Sequence, residues 1–311
     1  MKLHVEQVRI VEVGPRDGLQ NEKALIPTES KVEFITALVD AGLRTVEAGA
    51  FVHPKWVPQM ADTAEVFKLI PKDPGVDYPV LVPNSRGLDR ALEAGVKSIA
   101  IFTAASDTFN KRNINMTIDE SFDNFIPLME RARGERLRVR GYVSCSLGCP
   151  YEGEVPPERV LEVTARLLDI GCYEVSIGDT IGVGTPLQVQ GLIGLLLQVV
   201  PPEKLAMHFH DTRGTALANT LAALDMGIAT FDASAGGLGG CPYAPGASGN
   251  MATEDLVYML NGLGIPSGVD LDKLIAASSV IAPFLDHPLP GKYLQACSRA
   301  SARTASAIPV Q

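Results

Sequence analysis

Cysteine is scarce in this chain, with five residues among 311. An odd and widely spaced set does not form a disulfide framework, so we expect reduced thiols and a reducing compartment. Long hydrophobic runs are absent as well, since no segment has 18 consecutive apolar residues. The first residues show neither a secretory apolar core nor an arginine-rich presequence. Together these features predict a cytoplasmic protein that does not span a membrane.

Positive charge is in deficit, because 27 Lys and Arg stand against 36 Asp and Glu and give a formal net charge of −9. A nucleic-acid-binding domain needs a basic face, so we expect no nucleic-acid partner. The phosphate-loop motif G-x-x-x-x-G-K-[ST] is absent, and the glycine-rich run does not match G-x-G-x-x-G. A small anionic ligand stays compatible with this balance, because a few local Arg and Lys side chains can bind one.

Short β-rich segments alternate with longer helical patterns along the chain. The eight candidate strands are 7–14, 45–51, 77–83, 98–104, 137–144, 173–180, 205–212 and 230–237. Helical stretches fall between them, and the first begins with Thr28 as a predicted N-cap and ends at Gly42. Eight β units, each followed by a helix, predict an α/β fold in which a parallel sheet closes into a (β/α)₈ TIM barrel.

The chain continues past the eighth unit. Helical patterns over 253–264 and 270–285 predict extra C-terminal helices beside the barrel mouth, whereas the last residues are small and lack apolar periodicity. We therefore expect one catalytic domain over residues 1–285 and a weakly ordered tail over residues 286–311.

Polar residues concentrate where the candidate strands end. Active sites of TIM barrels lie at the C-terminal ends of the strands, so these residues are expected to meet there. The residues in question are Arg16, Asp17, Glu47, Asn84, Asp179, His208 and His210.

Two histidines end the seventh candidate strand in the segment KLAMHFHDTR (204–213). Side chains at positions i and i+2 of a strand point the same way, so His208 and His210 should both face the barrel axis, with Phe209 facing the helices. Two imidazoles on one face suit a metal ion. On this segment alone, a hydrogen-bonded pair of core histidines explains the pattern equally well.

Two loops offer oxygen ligands to the same place. The segment 13–22 (VGPRDGLQNE) follows the first strand, which lies near the seventh in a closed barrel, and its Asp17 could bind a metal or pair with Arg16. The glycine-rich segment 236–250 follows the eighth strand, and Asn250 could cap a helix or offer its carbonyl oxygen. One Asp, two His and one Asn leave room for two more ligands, which suits an octahedral Mg²⁺ or Mn²⁺ that chelates a substrate.

Two other groups give weaker signals. Cys145 and Cys149 have no second cysteine pair nearby, which disfavours a structural zinc site. The basic segment 111–113 follows the fourth strand and is either a solvated loop or an anchor for a phosphorylated ligand. In the second case Lys111 and Asn113 would bind substrate.

Three motifs, in this order, resemble one family: VGPRDGLQNE, HFHDTRGTALAN and GGLGGCPYAPGASGN. They are similar to those of the 3-hydroxy-3-methylglutaryl-CoA lyases, which belong to the metal-dependent lyase and Claisen-synthase barrels. The resemblance extends from about residue 5 to residue 285 and includes 51–62, 104–115, 141–153 and 177–186. The synthases share the barrel and the two histidines, whereas the cysteine-containing glycine loop is more specific to the lyases.

The resemblance implies a role for each matching residue. The implied metal ligands are Asp17, His208, His210 and Asn250. The implied catalytic residues are Arg16 and Cys241, with Asp179 and Glu47 at positions important for activity. The implied substrate-pocket residues are Arg16, Gln20 and Tyr142.

The implied activity is divalent-metal-dependent, retro-Claisen cleavage of (S)-3-hydroxy-3-methylglutaryl-CoA to acetyl-CoA and acetoacetate, in leucine catabolism and ketone-body formation. In that chemistry a base removes the proton of the tertiary alcohol, and we assign this role to Asp179, with the metal ligand His208 as the alternative. Arg16 would stabilise the enolate charge. The Cys241 thiol would protonate the enolate carbon.

Other functions stay open at this point. Gly49, Ala50 and His53 stand where small hydroxyl residues are expected, which allows a lyase for a longer-branched 3-hydroxyglutaryl-CoA. A Claisen-condensing acyltransferase would share the metal ligands and would not need Cys241 as an acid. A non-catalytic barrel that binds a metal or an acyl-CoA is the third possibility. In each case we expect a homodimer or a larger homo-oligomer.

Overall fold

Nine parallel strands form a single sheet in the computed structural model, which describes residues 5–239 and 249–297. The strands are β1 (Arg9–Glu12), β2 (Thr45–Val46), β3 (Gly49–Ala50), β4 (Val80–Leu81), β5 (Ser98–Ala104), β6 (Arg138–Ser144), β7 (Glu174–Asp179), β8 (Leu205–Phe209) and β9 (Thr230–Ala233). Their order in the sheet is β2-β1-β9-β8-β7-β6-β5-β4-β3.

The two outermost strands of that order are halves of one predicted strand, 45–51. β2 pairs with β1, and β3 pairs with β4. Between them the Val46 amide donates to the Asp77 carbonyl, and the Glu47 amide donates to the Glu12 carbonyl. One short segment thus bonds to both neighbours and closes the sheet, so the predicted eight-stranded α/β barrel is confirmed.

Ten helices surround the barrel within the described residues. They are α1 (Thr28–Asp40), α2 (Thr63–Leu69), α3 (Ser85–Glu93), α4 (Asp107–Ile114), α5 (Ile118–Gly134), α6 (Pro157–Asp169), α7 (Pro186–Leu196), α8 (Ala216–Asp225), α9 (Thr253–Leu263) and α10 (Leu271–Ile281). None of them is long and apolar enough to cross a membrane.

The first helix begins differently from the prediction. Thr28 is already helical, and Pro27 occupies the N-cap position. The Thr28 hydroxyl donates to the Asp62 carboxylate at 2.8 Å, so it does not cap the helix. The predicted end at Gly42 is confirmed: this residue has φ 107°, and a Cβ there would lie 2.1 Å from the Gly268 carbonyl oxygen.

The extra C-terminal helices lie outside the barrel and reach its mouth. The Asp270 amide, just before α10, donates to the Ala41 carbonyl just after α1, and the two helices pack along each other. At the other end of α10, the Ser278 hydroxyl donates to Glu254, whose carboxylate also accepts from the Gly236 amide at the mouth.

The first residues of the predicted tail contact the barrel. The amides of Lys292 and Tyr293 donate to the Asp255 carboxylate at 3.0 and 2.7 Å, and the Gly291 amide donates to the Gly236 carbonyl. The division into a domain over 1–285 and a weakly ordered tail over 286–311 stays a prediction, and residues 298–311 lie outside the described part of the chain.

Candidate active site

Three potential metal ligands converge at the C-terminal ends of the strands. Each of Asp17, His208 and His210 offers one ligand atom, and these atoms all lie within 4.8 Å of one another. The Nε2 of His208 is 3.2 Å from the Nε2 of His210 and 3.9 Å from the Oδ2 of Asp17. Both rings lie on the cavity side of β8, whereas Phe209 between them is buried in the hydrophobic core, as strand alternation predicts.

Asp17 is held by a tight turn that follows β1. The turn spans Gly14–Gly18, and the Asp17 amide donates to the Val13 carbonyl at 2.7 Å. A Cβ on Gly18 would lie 2.8 Å from the Cβ of Leu238, so glycine lets this turn pack against the segment after β9. The sequence GPRDG therefore places a carboxylate at the barrel mouth.

Asn250 completes the group from the opposite loop. A bridge pairs it with His210, and its Nδ2 donates to the Asp17 Oδ2 at 2.8 Å and to the Leu238 carbonyl at 3.0 Å. Its Oδ1 is buried and accepts no hydrogen bond from the described residues. A buried amide oxygen without a partner is costly. A carboxylate, two imidazoles and this oxygen fit a hard divalent cation such as Mg²⁺ or Mn²⁺.

The two histidines have different surroundings. The Nδ1 of His208 lies 3.2 Å from the Oδ2 of Asp232, whereas the buried Nδ1 of His210 has no hydrogen-bond partner among the residues described. Burial and the neighbouring His208 lower the pKa of His210 to about 4. Burial also opposes the charged form of His208, but Asp232 and Asp17 outweigh it and raise the His208 pKa.

Arg16 is fixed beside this group by two carboxylates. Its Nη1 donates to the Asp17 Oδ1 at 2.8 Å, and its Nε donates to the Glu47 Oε2 at 2.8 Å. The same Glu47 oxygen accepts from the Tyr142 hydroxyl at 3.3 Å. Burial works against the guanidinium charge, but Glu47 and Asp17 raise the pKa of Arg16 above its ordinary value. The side chain is therefore a permanent, immobilised cation.

A cavity of about 720 Å³ opens above these residues. Seven of the twelve predicted site residues line it: Arg16, Asp17, Gln20, Asn113, Tyr142, His208 and His210. Glu47 and Asn250 lie behind this lining and contact Arg16 and Asp17 respectively. Lys111 is exposed on α4 and does not line the cavity, so its substrate role stays a prediction.

Known proteins of the same kind were identified by sequence and by structure. The family model described as HMGL-like matches residues 7–281. The mitochondrial hydroxymethylglutaryl-CoA lyase of Bos taurus is 58% identical over 291 residues, which cover 94% of this chain and 90% of the relative. The chain belongs to the hydroxymethylglutaryl-CoA lyase family.

Solved structures agree with this membership of the hydroxymethylglutaryl-CoA lyase family. The enzyme from Pseudomonas aeruginosa is 52% identical and superposes with a TM-score of 0.94, covering 96% of this chain and 100% of that one. An HMG-CoA lyase from Acinetobacter baumannii, solved with coenzyme A and 3-methylmalate, is 38% identical with a TM-score of 0.90 and covers 100% of both chains.

Asp179 lies outside the cavity lining and contacts a loop instead. Its two carboxylate oxygens accept from the amides of Val183 at 3.0 Å and Gly184 at 2.9 Å, and it does not line the cavity. Burial, partly offset by these hydrogen bonds, raises the pKa of Asp179. The carboxylate thus holds the loop between β7 and α7.

The three cysteines considered in the sequence analysis lie in different places. Cys241 lies in the segment 240–248, outside the described residues. Cys145 and Cys149 are buried, and the Cys149 thiol lies 3.0 Å from the Ser106 hydroxyl. Neither belongs to the metal-ligand group found within the described residues.

A buried polar network beneath the candidate metal ligands was not predicted from the sequence. Asp232 accepts from Arg140 at 2.7 Å and from Ser176 at 2.7 Å, and Arg140 also donates to Glu174 at 2.7 Å. The interior of a TIM barrel is normally packed with apolar side chains. Polar residues at alternate positions, such as Arg140 and Tyr142, were the available signal, because that spacing points them into the barrel.

Arg112 was also missed as a site residue, although it belongs to the basic segment 111–113. It lines the cavity, and its guanidinium lies 4.2 Å from the centre of the Tyr151 ring. The sequence could not tell which residue of this segment faces the cavity.

Proposed function

We propose that this chain is a divalent-metal-dependent carbon–carbon lyase that cleaves (S)-3-hydroxy-3-methylglutaryl-CoA to acetyl-CoA and acetoacetate. The observation that carries the proposal is the position of Asp17, His208 and His210 beside the fixed cation Arg16, on the floor of one cavity. Its volume of about 720 Å³ lies in the range of ligand pockets. The relative from Acinetobacter baumannii, solved with coenzyme A, supports an acyl-CoA substrate.

Asp17, His208, His210 and Asn250 would hold the metal. A bound Mg²⁺ or Mn²⁺ supplies Lewis-acid polarisation of the tertiary hydroxyl oxygen, which lowers the pKa of that alcohol. The orphaned Oδ1 of Asn250 supports a fourth ligand from the protein.

Arg16 would stabilise the charge that the reaction develops. When the C–C bond breaks, its electron pair passes to the thioester, which becomes an enolate, and the former alcohol becomes the ketone of acetoacetate. Arg16 is held by Glu47 and Asp17, so its charge is oriented before the substrate arrives. Fixed donors aimed at developing charge usually provide the largest single share of catalysis.

The sequence assigns the proton acceptor to Asp179, with His208 as the alternative. We propose His208 for this role, because its ring lines the cavity while both oxygens of Asp179 accept hydrogen bonds from loop amides. The Nε2 of His208 would accept the proton only while it does not hold the metal, since one nitrogen cannot bind both. Asp179 would then position the loop.

Cys241 would deliver a proton to the enolate carbon and so complete acetyl-CoA. A thiol with an ordinary pKa near 8.5 is a suitable acid for this step. The assignment rests on the lyase-specific glycine loop in which Cys241 lies.

The decisive experiment is turnover of (S)-3-hydroxy-3-methylglutaryl-CoA by the purified chain with Mg²⁺ or Mn²⁺. We expect acetyl-CoA and acetoacetate in equal amounts, and loss of both with EDTA. Turnover of longer-branched analogues alone would replace the substrate assignment. Condensation of acetyl-CoA with a 2-oxo acid, without cleavage, would instead indicate a synthase.

We also propose a homodimer or larger homo-oligomer. Residues 186–202 contain no charged side chain, and Leu187 and Val199 on this outer segment are 80% and 64% exposed. An uncharged surface segment with exposed apolar side chains favours association with another copy. Sedimentation velocity tests this, and a monomer at micromolar concentration would reject it.

The location and pathway are proposals as well. We propose a reducing compartment, the cytoplasm, and a place in leucine degradation. Cys149 and Cys172 are buried thiols, which supports reducing conditions. The bovine relative carries a mitochondrial name, so fractionation of cells that express the chain is the direct test.

A further inference from the structure

We infer that Asp232, which does not line the cavity, is a positioning residue for His208. Its Oδ2 accepts a hydrogen bond from the Nδ1–H of that ring. The lone pair of Nε2 therefore points towards the candidate metal site that Asp17 and His210 share with His208. The inference rests on the proposed metal-dependent function and assigns a role to a carboxylate below the ligand group.

The hydrogen-bond geometry determines the tautomer. The Nδ1 of His208 lies 3.2 Å from the Asp232 Oδ2, while its Nε2 lies within 3.9 Å of the Asp17 Oδ2. A carboxylate can only accept, so the nitrogen facing it must carry the hydrogen. In a neutral imidazole the other nitrogen then has the lone pair that a metal requires.

Asp232 is itself held so that it cannot turn away. Arg140 donates to its Oδ1 at 2.7 Å from β6, and Ser176 donates to its Oδ2 at 2.7 Å from β7. The Nε of Arg140 is anchored by Glu174 at 2.7 Å. Asp232 and Arg140 are almost completely buried. Residues of two strands, β6 and β7, therefore fix the Asp232 carboxylate on β9.

His210 provides an internal comparison. It contributes its Nε2 to the same group, but its Nδ1 meets no hydrogen-bond partner in residues 5–239 and 249–297. If a carboxylate were needed only to balance buried charge, it could equally well contact the ring of His210. Because Asp232 contacts only the His208 ring of the two, we assign to it the role of orienting His208.

Metal affinity tests the inference without relying on turnover. Asp232→Asn should raise the Kd for Mn²⁺, measured by electron paramagnetic resonance of the substrate-free protein, by about 10–100-fold. Glu174→Gln is the matched control, because it removes the same charge from the same network one residue farther from His208. It should lower Tm while changing the Mn²⁺ Kd less than about twofold. Equal weakening in both variants, or unchanged affinity in folded Asp232→Asn, would overturn the inference.

Imidazole nitrogen NMR gives a second readout that needs no metal and no variant at Asp232. The chain has only five histidines, so selective ¹⁵N labelling gives few signals, and His208→Gln identifies the relevant one. At a pH where the ring is neutral, we expect His208 as the Nδ1–H tautomer in the metal-free protein. The opposite tautomer would reject the inference even if Asp232→Asn does not fold. Failure of the wild-type protein to bind Mn²⁺ would reject the metal-dependent function and leave the tautomer result standing.

Discussion

At the scale of single residues, His208 and His210 have pKa values shifted in opposite directions although one residue separates them. Burial alone would lower both pKa values. Asp232 opposes that effect at His208, and no equivalent carboxylate faces the far nitrogen of His210 within the described residues. The two imidazoles are thus chemically distinct candidates for metal ligands.

Arg16→Gln should lower kcat by about 10²–10³-fold, because the enolate would lose a fixed cation. Steady-state turnover of (S)-3-hydroxy-3-methylglutaryl-CoA measures the change. Arg131→Gln is the control, since that arginine forms an exposed pair with Asp89 and neither residue lines the cavity. A kcat within threefold of the wild type would remove Arg16 from the mechanism.

Cys241→Ala should lower kcat by about 10²-fold or more, because the enolate carbon would lose its proton donor. Cys297→Ala removes a thiol outside the cavity lining and should retain activity. The comparison is made at saturating substrate with the same metal. Equal activity of the two variants would contradict an acid role for Cys241.

At the scale of elements, the sequence predicted the eight strands because their period-2 patterns and glycine boundaries are local signals. His208 and His210 were found for the same reason. Asp232 was not found, because its role depends on contacts between strands that are distant in the sequence. Its partner Arg140 is 92 residues away in the chain. Local periodicity predicts the direction in which a side chain points, but it does not predict which residue that side chain contacts.

A substitution at Asp179 tests whether this residue positions the loop between β7 and α7 or accepts the substrate proton. Asp179→Asn replaces one carboxylate oxygen with a donor, so it should lose the hydrogen bond from Val183 or Gly184 and cost about 1–3 kcal/mol. We therefore expect activity and Tm to fall together. Lost activity with unchanged Tm would restore Asp179 as the proton acceptor.

At the scale of the whole molecule, two buried carboxyls tie the region after β9 to the rest of the barrel. Glu12 accepts from the amides of Gly14 and Ala235, and Glu254 accepts from Gly236. Burial, only partly offset by hydrogen bonds, raises the pKa of each carboxyl to about 7. Their charged forms therefore oppose folding.

Stability should consequently fall as the pH rises. The folded-state pKa of Glu12 lies above its ordinary value of 4.5, so the stability present below pH 4.5 is lost as pH rises through about 7. Glu12→Gln stays neutral and should remove part of this loss, up to about 3 kcal/mol. Urea unfolding at pH 5 and pH 8 measures it, with Glu130→Gln on the exposed face of α5 as the control. Parallel pH profiles for the two variants would contradict the assignment.

The buried Arg140 also constrains the order in which the chain can fold. Its partner Glu174 lies on the next strand, but Asp232 lies on β9, the last strand in sequence order within the described residues. A guanidinium stripped of water with one of its two carboxylates missing is strongly disfavoured. Nascent chains that end before β9 should therefore keep this part of the barrel hydrated and loosely packed. The catalytic floor is then assembled last, in a single step that requires the complete barrel.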